Sequence, residues 1–262
     1  MDQQQQRILR QHVKTDALLG LEQVPMGGGS VRRRPEQRTT EPAAPAPTAA
    51  PGAAARVDVP DDAPLDGQTK RQLLQQMDEQ EVRGCTKCEL CHGRTQTVFG
   101  EGDPDAAIMF VGEGPGQNED EQGRPFVGRA GELLTKMIEA MGYAREDVFI
   151  ANVVKCRPPN NRTPTPAEIA TCWDYLRRQM QIIRPQAIVT LGGPATKTLL
   201  ETNVGITRLR GTWHEYTGVQ PAIPVMPTFH PAYLLRAYTR DNRAKVWSDL
   251  QAVVKHVQQA KG

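Results

Sequence analysis

The chain has 262 residues, a formal net charge of +2 and 38% hydrophobic residues. This charge excludes the strong basic field of many nucleic-acid-binding proteins, and the length is sufficient for a sizeable core. No run approaches the roughly 18 apolar residues of a membrane span, and the opening Met-Asp-Gln-Gln-Gln-Gln is no apolar signal segment. We therefore expect a cytoplasmic, monomeric protein that does not bind a membrane.

The N-terminal part divides by composition into two segments. Residues 1–25 carry apolar side chains at helical spacing, which predicts a short amphipathic helix. That helix is either a frayed terminus or a docking peptide for a protein partner. Residues 26–69 are rich in Pro, Ala and Gly, so we predict a disordered linker. We predict that the remaining residues, 70–262, form one compact domain that is large enough for a core of its own.

Helical and strand patterns alternate through this domain. We predict helices over residues 70–82, 131–141, 165–183, 193–200 and 241–259, of which 165–183 begins with a capping signal and 193–200 is short. We predict strands over residues 106–111, 148–154, 187–191, 210–217 and 223–229, the first of which is buried. Such alternation predicts a three-layer α/β/α fold with a central, mainly parallel sheet. Ligands bind at the carboxyl ends of the strands in sheets of this kind.

Two dense Gly/Pro blocks follow the first predicted strand. Residues 112–116 read Gly-Glu-Gly-Pro-Gly, which allows close approach of backbone to a flat or charged ligand, although a simple tight turn is the alternative. Residues 124–128 read Arg-Pro-Phe-Val-Gly. Phe126 is poorly placed for a helix, so its ring either stacks on a ligand or belongs to the core.

Two polar residues stand at strand ends. Asn152 lies in an otherwise apolar strand, where its amide costs free energy unless both of its polar groups are paired. The amide matches a lactam edge such as that of uracil, and a structural amide is the alternative. His230 follows the last strand and precedes Pro231, a placement that suits a donor to a developing anion.

Four cysteines are arranged as two separated pairs, Cys85-x2-Cys88 and Cys156 with Cys172. In a reducing compartment this arrangement favours a metal site over disulfides. Cys91 extends the first pair to a triplet that also suits iron–sulfur ligation. Spacing alone does not separate zinc from an iron–sulfur cluster.

Three blocks, at residues 112–131, 152–164 and 229–236, closely resemble the iron–sulfur family 4 uracil-DNA glycosylases. The resemblance covers roughly residues 81–258. It implies excision of uracil from single- or double-stranded DNA by base flipping, with free uracil and an abasic site as products. It also implies a 4Fe-4S cluster held by the four cysteines, with Cys91 as a spare thiol.

The resemblance further implies roles for individual residues. Phe126 stacks on the flipped uracil, Asn152 reads its edge beside Gly114, and His230 stabilises the departing anion. Three acids match the acidic positions of the first block, namely Glu113, Glu119 and Asp120, and we favour Glu119 for orienting the attacking water. Leu234 or Leu235 wedges into the vacated stack, and Arg236 lies near a phosphate.

Two other hypotheses compete with this one. A covalent uracil-trapping branch carries a His-bearing insertion after the Asn strand, and residues 157–164 contain no His. A non-catalytic iron–sulfur DNA-binding or adaptor protein is the alternative from a different class. The combination of Phe126, Asn152 and His230 argues against it.

Overall fold

The computed structural model describes residues 56–59 and 65–260. The predicted helix 1–25 and most of the predicted linker lie outside these residues. The segment 56–59 belongs to the compact unit that begins at residue 55. Val57 donates its N–H to Glu81 Oε1 (2.9 Å), and its carbonyl accepts from Arg178 (3.2 Å). The domain therefore includes residues before position 70, because a buried ion pair satisfies the backbone of this segment.

The described residues form nine α-helices, six β-strands and three shorter helical turns. The helices are α1 (Gly67–Met77), α2 (Leu90–Gly93), α3 (Gln117–Gln122), α4 (Arg129–Ala140), α5 (Pro166–Ile183), α6 (Gly193–Leu199), α7 (Ile206–Leu209), α8 (Pro231–Arg236) and α9 (Arg240–Gln259). The strands are β1 (Glu101–Gly102), β2 (Ile108–Gly112), β3 (Phe149–Asn152), β4 (Ala187–Leu191), β5 (His214–Tyr216) and β6 (Ile223–Thr228). A π-helical turn follows α1 (Asp78–Val82), and short 3-10 turns span Arg145–Asp147 and Pro159–Asn161.

One six-stranded sheet organises the domain, in the order β1-β3-β2-β4-β6-β5. The four inner strands pair in parallel, and the two edge strands are antiparallel to their neighbours. The predicted α/β class with a mainly parallel sheet is confirmed. The two-residue β1 was not predicted, because a strand of that length has no readable alternation.

Helices cover both faces of the sheet. Helix α1 packs on α5 on one face, where Met109 and Val111 of β2 contribute to a core with Tyr175 and Leu176. Ile108 and Phe110 alternate to the opposite face, and α9 packs against β4 and β6. No helix within residues 65–260 is long and apolar enough to cross a membrane.

The start of α5 follows its predicted capping signal. Thr165 Oγ1 accepts from the Glu168 N–H (3.3 Å), and Glu168 Oε2 accepts from the Thr165 N–H (2.7 Å). This reciprocal pair satisfies two backbone donors at the helix start. Arg162 also bonds the Glu168 carboxylate, and this pairing lowers the pKa of Glu168 to about 2. The loop between β3 and α5 is thereby attached to the helix.

Candidate active site

A cavity of about 650 Å³ lies at the carboxyl ends of the parallel strands. Its lining comes from the loop after β2, the end of β3, the loop after β4 and the start of α8. Glu113, Phe126, Asn152 and His230 all line it, although they are far apart along the chain. These separate segments therefore meet at one edge of the sheet, at the strand ends where sheets of this kind bind ligands.

The Phe126 ring forms one wall of this cavity. Its centroid lies 5.6 Å from that of the His230 ring, with 31° between the ring planes. Phe126 has a positive φ of 52°, which a non-glycine residue adopts at a cost in free energy. Neighbouring glycines make room for this conformation: a Cβ at Gly131 would collide with the Phe126 carbonyl, and one at Gly112 would lie 2.6 Å from Phe126 Cζ. Small residues thus build a slot beside the ring.

Asn152 ends β3 opposite Gly112, which is its partner in register. The residue is 2% exposed, and its Oδ1 is buried without a hydrogen-bond partner in the described chain. An unpaired buried acceptor costs about 1–3 kcal/mol. The cavity that it lines is therefore suited to a ligand that donates a hydrogen bond to this atom.

His230 caps the start of α8. Its Nδ1 accepts from the Ala232 N–H at 3.0 Å, so the proton of the neutral ring resides on Nε2. Burial, and secondarily the charge of Arg236, lower its pKa from 6.5 to about 4, while Glu119 acts in the opposite direction. His230 is consequently a neutral donor near pH 7.

This protonation state predicts a particular pH profile. If neutral His230 acts as a donor, the single-turnover rate stays level as the pH rises through 6.5, whereas a cationic acid would lose activity there. Because the folded pKa lies below the unfolded one, His230 also lowers stability as the pH falls from 6.5 to about 4. Rates and unfolding midpoints measured across this range test both statements. A rate decline with a midpoint near 6.5 on the alkaline side would contradict the assignment.

Glu119, which we favoured for orienting the attacking water, also lines the cavity. Its Oε1 accepts from the Val127 N–H (2.9 Å) and the Gly128 N–H (3.0 Å), and its Oε2 accepts from the Gly116 N–H (3.1 Å). Both carboxylate oxygens are therefore engaged by backbone. Glu119 fastens the two Gly/Pro blocks together, which disfavours it as the residue that orients water.

Glu113 has the properties expected of a base. It lines the cavity, and its Oε1 is buried without a partner among the described residues. Burial raises the pKa of its carboxyl above the usual 4.5, and the Thr163 hydroxyl partly offsets that effect. A carboxylate that is poorly solvated is a stronger base than an exposed one.

Asp120 does not belong to the cavity lining. It is buried, and its two oxygens accept from the Thr95 N–H at 2.9 and 3.0 Å. The carboxylate anchors the loop that carries Thr95 to α3, and these contacts disfavour the predicted role of Asp120 as a catalytic acid.

The two leucines proposed as a wedge lie on different sides of helix α8. Leu234 is 3% exposed and belongs to the core, whereas Leu235 is 37% exposed. Arg236 is exposed and lines the cavity, as the prediction near a phosphate requires. Leu235 alone remains available to enter a base stack.

The cysteines line a second cavity on the side of α5. Donors are directed at three of the sulfurs: Arg94 at Cys156 (3.1 Å), the Lys155 N–H at Cys172 (3.3 Å) and the Tyr175 hydroxyl at Cys85 (3.4 Å). Hydrogen bonds to sulfur are typical of thiolates that hold iron–sulfur clusters. Burial raises the pKa of the Cys172 thiol to about 12, so its thiolate requires a cationic centre.

The sulfur atoms surround this cavity instead of meeting at one point. Between residues 65 and 260, no three His, Cys, Asp or Glu side chains are grouped tightly enough to hold a single metal ion. Cys85, Cys88, Cys156 and Cys172 nevertheless share the lining. Four thiols around one cavity are a donor set of the kind that iron–sulfur clusters use.

Lys155 is a functional candidate that our sequence reasoning missed. It is 1% exposed, and its Nζ donates to the Asn152 carbonyl (2.9 Å) and to Gln179 Oε1 (2.6 Å). Its backbone N–H bonds Cys172. A Lys within the apolar run before Cys156 was the available signal, because a buried ammonium needs acceptors.

Comparison with known proteins shows the family to which this chain belongs. The model of the uracil DNA glycosylase superfamily matches residues 99–251, which include the sheet and the complete cavity lining. A type-4 uracil-DNA glycosylase of Thermotoga maritima is 49% identical over 184 residues, covering 70% of this chain and 94% of the relative. One from Sulfurisphaera tokodaii is 53% identical over 162 residues, covering 60% and 74%. The chain belongs to the family 4 uracil-DNA glycosylases.

A more distant branch also matches. A type-5 uracil-DNA glycosylase of Pyrobaculum aerophilum is 32% identical over 148 residues, covering 51% of this chain and 64% of the relative. The lower identity agrees with assignment to the type-4 branch.

Proposed function

We propose that this protein excises uracil from DNA by hydrolysing the N-glycosidic bond, and that the cavity beside Phe126 binds the flipped base. The unpartnered Oδ1 of Asn152 carries this proposal, because it is buried in a slot bounded by an aromatic ring. The N3–H of uracil supplies the missing donor, and the amide nitrogen of Asn152 donates to O4.

The binding energy available in the slot is of the size that flipping requires. Removing a base from the stack costs a few kcal/mol. Stacking on an aromatic ring contributes about 1–3 kcal/mol per base, and each hydrogen bond adds about 1 kcal/mol. Phe126 and Asn152 together offset the cost. Cytosine presents an acceptor at N3 and a donor at N4, which reverses the pattern that the Asn152 amide reads.

The chemistry follows from the placement of two further side chains. The C1′–N1 bond breaks with its electron pair moving to uracil, which leaves as an anion. Nε2–H of the neutral His230 donates to that anion in a site largely removed from water. Glu113 accepts a proton from the water that attacks C1′, and its negative charge balances the cationic sugar.

We also propose that Cys85, Cys88, Cys156 and Cys172 hold a 4Fe-4S cluster. The shared cavity and the donors directed at three of the sulfurs support this assignment. When bound, the cluster supplies a covalent cross-link between helix α5 and two loops. Lys155 connects this cross-linked region to Asn152 through the bond to its carbonyl oxygen.

The exposed Leu235 predicts a difference between DNA forms. Leu235→Ala is expected to slow excision from double-stranded DNA about tenfold, because nothing then fills the vacated stack. Excision from a single strand changes little. Leu234→Ala is the matched contrast: it lowers the free energy of unfolding by about 2–5 kcal/mol, because Leu234 is buried. Equal losses on both DNA forms would contradict the wedge.

One assay tests the proposed activity directly. The full chain is incubated with an oligonucleotide containing a single uracil, and abasic sites are cleaved with alkali before electrophoresis. A product with uracil, and none with thymine or cytosine, is expected. An intact, iron-containing protein that binds this DNA without forming product would favour the non-catalytic adaptor.

A further inference from the structure

The fifth cysteine is not used by the proposed cluster, yet it faces the same cavity as the four ligands. Cys91 lines this cavity together with Cys85, Cys88, Cys156 and Cys172. Five thiols around one space exceed the four that a cubane cluster takes. Cys91 is partly buried and free of disulfide bonds. Its thiol therefore lies beside the space that the proposed cluster would occupy.

The position of Cys91 ties it to one ligand in particular. Its N–H donates to the Cys88 carbonyl at 3.1 Å, so the two residues are separated by one helical turn. Side chains three residues apart on a turn lie on the same face. Cys91 is thus adjacent to Cys88.

We propose that Cys91 is a reserve ligand that replaces Cys88 on the cluster when the Cys88 thiolate is lost. The inference rests on the proposed 4Fe-4S cluster. The exchange is a ligand substitution: one Fe–S bond to Cys88 breaks, one to Cys91 forms, and the proton of the Cys91 thiol passes to the departing Cys88 sulfur. No electron is transferred. The hydrogen bond from the Cys91 N–H to the Cys88 carbonyl holds the two residues on one turn, so the second sulfur lies on the same side of the chain as the first.

Iron content tests this proposal without reference to excision. Wild type, Cys91→Ala, Cys88→Ala and Cys88→Ala/Cys91→Ala are reconstituted anaerobically with iron and sulfide. Cys85→Ala and Cys85→Ala/Cys91→Ala form a matched pair at a ligand that lies further from Cys91 along the chain than Cys88 does. Iron and sulfide per chain are then measured together with the absorbance of the iron–thiolate bonds.

The expected pattern is specific to the Cys88 position. Cys91→Ala retains the wild-type iron content, and Cys88→Ala retains more than about half of it. The double variant at positions 88 and 91 retains about fivefold less than Cys88→Ala. At position 85, adding Cys91→Ala causes no further loss. Equal iron in Cys88→Ala and its double variant would overturn the proposal, as would an equal dependence on Cys91 at position 85.

Alkylation of the thiols provides a second readout. In the loaded wild type, iodoacetamide modifies Cys91, whereas in loaded Cys88→Ala the same thiol is protected. Mass spectrometry of the peptides distinguishes the two. If Cys88→Ala does not fold, Cys88→Ser serves in its place. Modification of Cys91 in both loaded proteins would refute the exchange. A wild type that binds no iron would instead refute the cluster itself.

Discussion

Replacing Asn152 by Ala is expected to reduce excision of uracil by about 10²- to 10³-fold, because two polar groups of the buried base lose their partners, at a cost of about 1–3 kcal/mol for each group. The fold persists, since Oδ1 has no partner among the described residues and its loss breaks no contact there. Asn152→Asp is more informative. A carboxylate accepts but does not donate, so it repels uracil O4 and accepts from the exocyclic amine of cytosine. The ratio of cytosine to uracil excision is therefore expected to rise.

Oligonucleotides with one uracil or one cytosine measure this ratio under single-turnover conditions. Asn203→Asp is the matched control, because Asn203 is exposed and does not line the cavity. It makes the same chemical change and is expected to leave both rates unaltered. An Asn152→Asp enzyme that retains wild-type selectivity would show that the base is read elsewhere.

Glu113→Gln is expected to lower the rate of the chemical step by about 10²- to 10⁴-fold with little effect on DNA binding. The substitution preserves size and removes the base. It also replaces a charged group, one of whose oxygens is buried without a partner among the described residues, by a neutral amide, so the unfolding midpoint does not fall. Single-turnover rates, DNA affinity and thermal unfolding measured together separate these effects.

Glu119→Gln gives the opposite signature and distinguishes the two acids. Three backbone N–H groups bond the Glu119 carboxylate, and an amide nitrogen in place of one oxygen opposes a donor with a donor. We expect a lower unfolding midpoint and a smaller loss of rate than in Glu113→Gln. Glu121→Gln serves as the exposed control in the same helix. A larger rate loss in Glu119→Gln, with unchanged stability, would return the water-orienting role to that residue.

Much of the fold could be predicted because its signals are local. Apolar runs mark β2 and β4, and the Thr165 capping box marks the start of α5. The convergence of Glu113, Asn152 and His230 was predictable as well, since parallel strands direct their carboxyl ends to one edge. The grouping of Cys85, Cys88, Cys156 and Cys172 around one cavity could be expected from their spacing in the same way.

The division of roles within a block could not be predicted, because it depends on side-chain direction. Glu119 and Asp120 are adjacent in sequence, yet the first bonds the Gly/Pro blocks and the second bonds Thr95. Leu234 and Leu235 differ in the same way, since successive residues of α8 point about 100° apart. Lys155 escaped notice because its partner Gln179 lies 24 residues away.

The conformation of Phe126, which forms one side of the cavity, affects how different DNA substrates compete. Its left-handed backbone is wedged against Gly131, so the slot exists before any base arrives and the protein need not reorganise to accept one. Differences in rate among DNA contexts then depend on how readily the base leaves its stack and on how well Leu235 fills the space that it vacates. Uracil in a single strand or in a mismatch leaves its neighbours more readily than uracil paired with adenine. The local stability of the DNA around each uracil therefore contributes to the order in which lesions are repaired.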